Sequence, residues 1–457
     1  MAVETANLVE RIWAKDAGLW TGADEARWLG WLEEPSRIRE RVAELESFAS
    51  SAREAGYVDV VLAGMGGSSL APEVLRRTFE AESFHVLDTT HPDAIRALED
   101  ELGSLDSTLF LVASKSGGTL ETRSHMEYFW EKTGGRGEQF VAITDPGSGL
   151  ESTARERGFR AIWDGEPTIG GRYSALSVFG MVPAALMGID LERLLGRAHE
   201  MVEACRGEEG NPGLELGERL GNGWREGRDK VLINPSPGGF GLWAEQLIAE
   251  STGKEGKGLV PVPGENDDGP DRLFEEVRVE DPYELGQELY RWEFATAVAG
   301  ALIGINPFDQ PNVQAAKDRT GEILSSGEEP SVEPEGSLDE LLGQAKEGDY
   351  FCVQAFVEPT VQAERAIEKV RERVRREAAI VTTGGFGPRY LHSTGQLHKG
   401  GPASGLFLQV VDEPEELAIP GSAFGFARLL KAQAAGDFAS LKERGRRVAR
   451  VSWEEIA

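Results

Sequence analysis

Short apolar runs alternate with amphipathic helical stretches along most of this chain, and this alternation limits its fold more than any other feature. A short apolar run bounded by turn residues is typical of a strand that is buried on both faces. Strands that alternate with helices predict a parallel sheet covered by helices, the doubly wound α/β class. The runs are Val58–Leu62, His85–Leu87, Leu109–Ala113, Phe140–Thr144, Lys230–Ile233, Gly258–Val262, Phe351–Val357, Ala379–Thr383 and Leu406–Val411.

The runs form two groups, which predicts two doubly wound parallel-sheet domains with flanking helices. A chain of 457 residues is long enough for two or three domains. The predicted parts are an N-terminal helical segment (1–50), a first sheet domain (51–200), a second sheet domain (201–435) with a mostly helical insertion at about 264–346, and a C-terminal tail (436–457).

Composition excludes several classes of partner. The chain has 48 basic and 78 acidic residues, a net charge of -30, whereas nucleic-acid backbones require a basic surface. No stretch approaches the roughly 18 apolar residues of a membrane span, and the first residues lack the apolar core of a signal peptide. Cys205 and Cys352 are too few for a disulfide framework or a cysteine-based zinc site. We therefore expect a cytoplasmic protein that binds neither nucleic acid nor membrane.

The segment Gly64–Ser69 follows the first apolar run and opens a helix. Its glycines, Gly67 among them, let the backbone approach a ligand, and Ser68 adds a hydroxyl where free amides and the helix dipole attract anions. The same segment begins a dinucleotide fingerprint, with Asp88 placed as a ribose-binding acid. Ser69 occupies the third glycine position of that fingerprint, so both interpretations remain open for this loop alone.

The segment Ser114–Thr119 (SKSGGT) follows another apolar run directly. Ligands of open α/β sheets bind outside the carboxyl ends of the strands. Three hydroxyls, one ammonium and two glycines suit a phosphate there, and a hydrogen bond to a charged group contributes about 1.5–3 kcal/mol. One such loop could be an ordinary helix N-cap, but two neighbouring loops favour a shared phosphate site.

Four further residues carry reactive groups. Arg172 lies in GGRYS and suits an oxyanion or a phosphate, although a loop arginine is usually a surface ion pair. Glu250 ends a predicted helix and is a candidate general base, with a solvated carboxylate as the alternative. His392 and His398 lie in LHSTGQLHKGG without acidic or cysteine partners at ligand spacing. We therefore expect neither a metal nor another cofactor.

Taken in order, these motifs resemble the glucose-6-phosphate isomerase family, whose members contain two sugar isomerase (SIS) domains. The motifs GMGGSSL, SKSGGT, GGRYS, AESTGK and NPFDQPNVQAAK lie between about residue 58 and about residue 430. Within the family the chain looks most like the isomerase half of bacterial transaldolase–isomerase fusions, including the opening RIWAKDAGLW, but it has no transaldolase portion. The resemblance implies interconversion of glucose 6-phosphate and fructose 6-phosphate through an enediolate.

The resemblance also implies a role for each matching residue. It implies phosphate binding by Ser68, Ser114, Ser116 and Thr119, support of that loop by Lys115, proton transfer by Glu250, enediolate stabilisation by Arg172, and closure on the sugar by Gln310 and Lys317. Chemistry agrees with these roles. An aldose–ketose isomerisation needs one base that takes and returns a proton, and a positive group beside the developing oxyanion.

The ring-opening histidine departs from the family pattern. In many members it lies between the glutamate and the lysine, but no histidine occurs here between Glu250 and Lys317. The resemblance places it instead at His392, with His398 as the alternative. In the family this histidine comes from a neighbouring subunit, which predicts a homodimer.

Other functions compete with this one. A broader isomerase would also accept mannose 6-phosphate, because the sequence does not reveal the pocket around C2. A non-catalytic sugar-phosphate sensor would need no base, so Glu250, Arg172 and Lys317 argue against it, as does the lack of a DNA-binding signal. A dinucleotide-dependent dehydrogenase would leave the SKSGGT loop without a role.

Overall fold

A computed structural model describes residues 7–266, 268–327 and 329–457, apart from the side chains of residues 313–316. Its N-terminal helices are α1 (Leu8–Trp13), α2 (Glu34–Arg39) and α3 (Val42–Glu54). Between α1 and α2, Trp31 is buried and stacks on Tyr173 at 5.2 Å between ring centroids. The N-terminal segment therefore packs against the turn that carries Arg172.

The first sheet confirms the predicted parallel α/β class. Its strands, in the spatial order β2-β1-β3-β4-β5, are all parallel. The order reverses between β1 and β3, and Gly64 pairs in register with Ala113 at their carboxyl ends. Such a reversal opens a crevice for a ligand, so the two predicted phosphate loops leave the sheet side by side. The strands are β1 (Asp59–Gly64), β2 (Phe84–Leu87), β3 (Thr108–Ala113), β4 (Phe140–Thr144) and β5 (Ala161–Asp164).

Helices cover this sheet and lead to the second half of the chain. The helices within the first sheet unit are α4 (Leu70–Thr78), α5 (Pro92–Glu101), α6 (Leu120–Lys132) and α7 (Gly149–Glu156). The connecting helices are α8 (Val178–Leu186), α9 (Leu191–Ala204) and α10 (Pro212–Arg225). None of the described helices has both the length and the apolar character that a bilayer span requires.

The second half contains two parallel sheets instead of the single sheet that was predicted. The three-stranded sheet has the order β7-β6-β8, and the four-stranded sheet has the order β10-β9-β11-β12. The strands are β6 (Lys230–Ile233), β7 (Val260–Pro263), β8 (Arg272–Glu275), β9 (Tyr350–Phe356), β10 (Val381–Phe386), β11 (Gly405–Val411) and β12 (Arg447–Ser452). The helices are α11 (Phe240–Thr252), α12 (Leu285–Ile303), α13 (Val313–Ser326), α14 (Leu338–Leu342), α15 (Val361–Ala378), α16 (Gly395–Gly400) and α17 (Phe426–Glu443).

Prolines explain why the two sheets do not merge. Strand β7 lies against β10, but the amide of Val260 donates to the Asp229 carbonyl on the β6 side. Amides alternate in direction along a strand, so Pro261 and Pro263 occupy the positions that face β10, and proline has no N–H to donate. A side chain bridges the edges instead, since Glu265 accepts hydrogen bonds from the amide and the hydroxyl of Thr382.

Two predicted segments differ from the structure. Residues 436–457, predicted as a tail, contain the end of α17 and the edge strand β12, because Val448 and its neighbours pair with β11. The insertion at about 264–346 is mostly helical in its regular structure, as predicted, but it also contains the strand β8.

Candidate active site

The first loop forms a tight 3-10 turn at Gly66–Ser68, immediately after β1. Gly66 has a φ of +56°, and a Cβ atom on Gly67 would lie 2.1 Å from the carbonyl oxygen of Gly171. Only glycine fits so close to another backbone, which explains the glycine pair. Ser68 is buried in this turn. The predicted phosphate turn therefore packs directly on the turn that carries Arg172.

The second loop holds its hydroxyls in a small cluster. The hydroxyls of Ser114 and Thr119 lie 3.0 Å apart. The Ser116 hydroxyl accepts a hydrogen bond from the amide of Gly118 at 3.3 Å. Lys115 reaches away, donating to Asp145 Oδ1 at 2.7 Å and to the carbonyl of Glu166 at 2.8 Å. The Lys115 ammonium is therefore held away from the loop hydroxyls by Asp145 and the Glu166 carbonyl.

Arg172 is only 2% exposed and connects two parts of the site. Its guanidinium donates to the Ser251 hydroxyl at 2.9 Å and to Gln310 Oε1 at 2.8 Å. It also donates to the carbonyls of Pro307 at 2.8 Å and Asp309 at 2.9 Å. A buried guanidinium with this many acceptors is held rigidly, so the positive charge has a fixed position.

The predicted base faces that charge. Glu250 is 9% exposed at the end of α11, and its Oε2 lies 3.5 Å from Arg172 Nη1. Gln246, one helical turn earlier, donates to Glu250 Oε2 at 3.2 Å and to the backbone carbonyl of His392 at 2.8 Å. Gln246 was missed from the sequence, although its spacing of four residues from Glu250 places both on one helix face.

A cavity of about 360 Å³ lies beside this cluster. Its walls include Ser116, Thr119, Lys317 and His392, which brings together one predicted phosphate loop and two predicted catalytic residues. Gln310 lies apart from these walls, at the Arg172 side. Glu250 and Arg172 also lie outside the walls of this cavity, and the contact of Gln246 with His392 joins the two groups.

Glu121 was missed from the sequence but is the partner of His392. Its Oε1 lies 2.8 Å from His392 Nε2, and both residues line the cavity. Burial acts to raise the pKa of Glu121, but the charge and hydrogen bond of His392 outweigh it and lower that pKa to about 2. The signal for Glu121 was weak: an acid in the first turn of the helix after SKSGGT is also an ordinary way to stabilise a helix start.

The structure separates the two candidate histidines. His398 is 1% exposed, its Nδ1 lies 3.2 Å from Gln354 Nε2, and its ring contacts Phe407. Burial, with the charges of Lys399 and Arg446, holds the pKa of His398 well below its ordinary value. His398 is therefore an interior residue, and His392 is the histidine at the cavity.

His392 contacts Glu121 on α6 and Gln246 on α11 of its own chain, so the expectation that a neighbouring subunit supplies it does not describe this arrangement. Asp88, the candidate ribose-binding acid, lines a separate cavity of about 500 Å³ and lies 3.9 Å from Arg389. Within the described residues, no cluster of three or more histidine, cysteine or acidic side chains could hold a metal ion.

Comparisons with known proteins fit this arrangement. The family model described as phosphoglucose isomerase matches residues 36–208, which include both loops and Arg172 but not Glu250, Lys317 or His392. The glucose-6-phosphate isomerase of Thermosynechococcus vestitus is 34% identical over 276 residues, covering 52% of this chain and 52% of that protein. The one from Synechococcus sp. strain JA-3-3Ab is 35% identical over 277 residues, covering 53% and 52%.

The matches thus span about half the length of these curated relatives. Among solved structures, a glucose-6-phosphate isomerase from Chlamydia trachomatis is similar in fold, with a TM-score of 0.52, 21% identity, and coverage of 70% of this chain and 78% of that one. The two glycine-rich loops and Arg172 thus lie in residues 36–208, the part of this chain that is similar to the phosphoglucose isomerase family model.

Proposed function

We propose that this protein interconverts glucose 6-phosphate and fructose 6-phosphate, with no cofactor. The observation that carries the proposal is the buried pair of Glu250 and Arg172, 3.5 Å apart and connected through Gln246 to His392. A carboxylate beside a fixed positive charge provides both groups that an aldose–ketose isomerisation needs. The named activity of the curated relatives supports the same proposal.

In the proposed mechanism the two loops hold the phosphate. The backbone amide of Gly67 and the hydroxyls of Ser68, Ser114, Ser116 and Thr119 bind the dianion at the carboxyl ends of β1 and β3, where helix N-termini favour negative charge. Lys115 does not touch the phosphate in this scheme, because Asp145 and the Glu166 carbonyl hold its ammonium. The phosphate then fixes the sugar relative to the catalytic residues.

The ring must open before the proton moves. We assign this step to His392, which donates a proton to the ring oxygen as the C1–O5 bond breaks, while the C1 hydroxyl releases its proton to water and becomes the aldehyde carbonyl. Lys317, on the wall of the same cavity, supplies a positive charge near the sugar oxygens. In the open chain Glu250 removes the C2 proton and returns it to C1, while a proton moves from O2 to O1. Arg172 stabilises the negative charge of the enediolate between these transfers.

The proposal is tested by Glu250→Gln in a coupled assay with fructose 6-phosphate. Because the amide cannot accept the C2 proton, we expect kcat to fall about 10²–10⁴-fold with little change in substrate affinity. The control is Glu245→Gln on the same helix, whose carboxylate accepts from Thr383; its kcat should stay within about twofold. An unchanged kcat in Glu250→Gln removes Glu250 from this role.

The same assay separates the competing functions. If the wild-type protein binds fructose 6-phosphate but does not convert it, the sensor hypothesis is supported. If calorimetry detects binding of a nicotinamide dinucleotide, the dehydrogenase hypothesis is supported instead. Running mannose 6-phosphate alongside measures the breadth of the activity. We expect fructose 6-phosphate turnover and no dinucleotide binding.

We also propose a homodimer located in the cytoplasm. Both cysteines are buried thiols without a disulfide, which suits a reducing compartment.

Since His392 lies in the same chain as Glu121, dimerisation is not required to supply it, and activity should persist on dilution. Light scattering after size exclusion gives the mass, and cell fractionation gives the location; a monomer at micromolar concentration contradicts the dimer.

A further inference from the structure

A buried amide on the C-terminal helix α17 reaches the site. Gln433 is 3% exposed and lies between Thr90, at the end of the first sheet, and Glu121. The Thr90 hydroxyl donates to Gln433 Oε1 at 2.8 Å, and Gln433 Nε2 donates to Glu121 Oε1 at 2.7 Å. The same Glu121 oxygen lies 2.8 Å from His392 Nε2.

The orientation of this amide is fixed by its two neighbours. With the amide reversed, two oxygens would face each other at the 2.7 Å contact with Glu121, which is repulsive. Glu121 Oε1 must therefore accept from Gln433. Although burial acts to raise the pKa of Glu121, its polar contacts lower that pKa to about 2, so the carboxylate is ionised.

The proton position on His392 follows from that. An ionised Glu121 oxygen accepts, so His392 Nε2 carries the hydrogen of their 2.8 Å contact. The carboxylate partner of one ring nitrogen sets the tautomer of a histidine. This leaves Nδ1 as the nitrogen that exchanges a proton with a ligand in the cavity that His392 lines.

We infer that Gln433 is a positioning residue: it holds the Glu121 carboxylate in the orientation that keeps the proton of His392 on Nε2. Its kinetic consequence rests on the proposed isomerase function, whereas its effect on the tautomer does not. Gln433 lies on the wall of the same cavity, and in this scheme it acts on the reaction through Glu121.

The first test is the tautomer itself, measured by NMR of protein labelled with ¹⁵N in its six histidines. The His392 signals are assigned as those that disappear in His392→Gln. They are then recorded at a pH at which their nitrogen chemical shifts show that the ring is neutral. The wild type should show Nε2–H. Gln433→Met, similar in volume but without the amide, should show a mixture of tautomers, and Thr90→Val a smaller shift in the same direction.

The second test measures kcat and KM, and it includes a variant that adds a negative charge beside Glu121. Gln433→Met should lower kcat for the cyclic sugar phosphate about tenfold, with KM within about twofold, because phosphate contacts are unchanged. Gln433→Glu should be slower still, since it places a second carboxylate beside Glu121. The matched control is Gln139→Met, which removes another buried amide, bonded to the Thr108 carbonyl at 3.0 Å. Gln139 lies at the amino-terminal ends of β3 and β4, whereas the phosphate loops follow the carboxyl ends of the strands.

The outcomes are decisive in both directions. A wild-type tautomer in Gln433→Met together with an unchanged kcat overturns the inference, and so does an equal loss of kcat in Gln139→Met, which would show a general packing effect. If the wild type lacks isomerase activity, the proposed function fails, but the NMR comparison still decides whether Gln433 sets the tautomer.

Discussion

Lys254 is a buried ammonium that holds the segment carrying Gln310. Its Nζ lies 2.6 Å from each of three oxygens: the carbonyls of Asn306 and Asp309, and Asp309 Oδ1. Arg172 donates to the Asp309 carbonyl as well. Burial and the charge of Arg172 lower the pKa of Lys254 to about 8, although Asp309 acts in the opposite direction. Lys254 and Arg172 therefore hold the same loop with two neighbouring positive charges, and their repulsion contributes to the lowered pKa of Lys254.

This lowered pKa predicts a pH dependence of stability. Between about pH 8 and the ordinary lysine value of 10.5, Lys254 loses its proton in the folded chain but keeps it in the unfolded chain. The unfolded state then binds more protons, so the contribution of Lys254 to the free energy of unfolding rises with pH across this window. Its full size is on the order of 3 kcal/mol.

The measurement is urea unfolding of the wild type and Lys254→Met at several pH values from 7 to 10.5. The free energy of the wild type should rise relative to the variant across the window. Exposed Lys369→Met serves as the control for the loss of one positive charge. Parallel curves for the wild type and Lys254→Met would show that Lys254 has no lowered pKa.

At this scale, the sequence supports predictions only where the candidate residues lie within a motif. Ser114, Thr119, Arg172 and Glu250 stood in short patterns whose chemistry could be recognised. Gln433 could not be found in this way, because its partners Thr90 and Glu121 are more than 300 residues away along the chain. Only the packing of α17 on the first sheet brings them together.

Among the elements, the strands that were not predicted share one property. Strands β5, β8 and β12 each lie at the edge of their sheet. In β8 (RLFE) and β12 (RVARVS) charged side chains interrupt the apolar residues, and edge strands commonly carry such charges because they discourage further pairing. In β12 the sequence RVARVS alternates arginine with valine, and this polarity made residues 436–457 look like a tail. Interior strands such as β3 were predictable because all of their residues are buried.

The junction between the two sheets of the second half depends on Glu265. Its side chain is 2% exposed and lies 2.7 Å from Arg375 and 3.4 Å from Arg371, besides its contacts with Thr382. Glu265→Ala should lower the free energy of unfolding by about 2–4 kcal/mol, because it leaves two partly buried guanidinium groups without this partner. Urea unfolding checks this value.

The control is Glu372→Ala, on the exposed face of the same helix as both arginines. It should change the free energy by no more than about 0.5 kcal/mol. Equal effects of the two substitutions would mean that the bridge contributes nothing beyond surface charge.

Over the whole molecule the net charge of -30 opposes the anionic substrate of the proposed reaction. The field of the chain repels a sugar phosphate at long range, while the helix N-termini and Lys317 attract it at short range. The Debye length falls from about 30 Å at 0.01 M to about 10 Å at 0.1 M salt, which screens the long-range part first. We expect kcat/KM to rise severalfold between 10 and 100 mM KCl, with kcat unchanged. A fall in kcat/KM over this range would show that the local positive field controls the encounter.

The position of α17 in the chain also has a consequence for protein synthesis. The ribosome releases the first sheet, with both phosphate loops, long before it releases Gln433 on α17 and the adjoining strand β12. A nascent chain can therefore assemble early the crevice that we propose binds phosphate, but it lacks the amide that contacts Glu121, the partner of His392. Translation products that stop short of α17 should bind sugar phosphate yet turn it over poorly, so catalysis is withheld until synthesis of the chain has passed that helix.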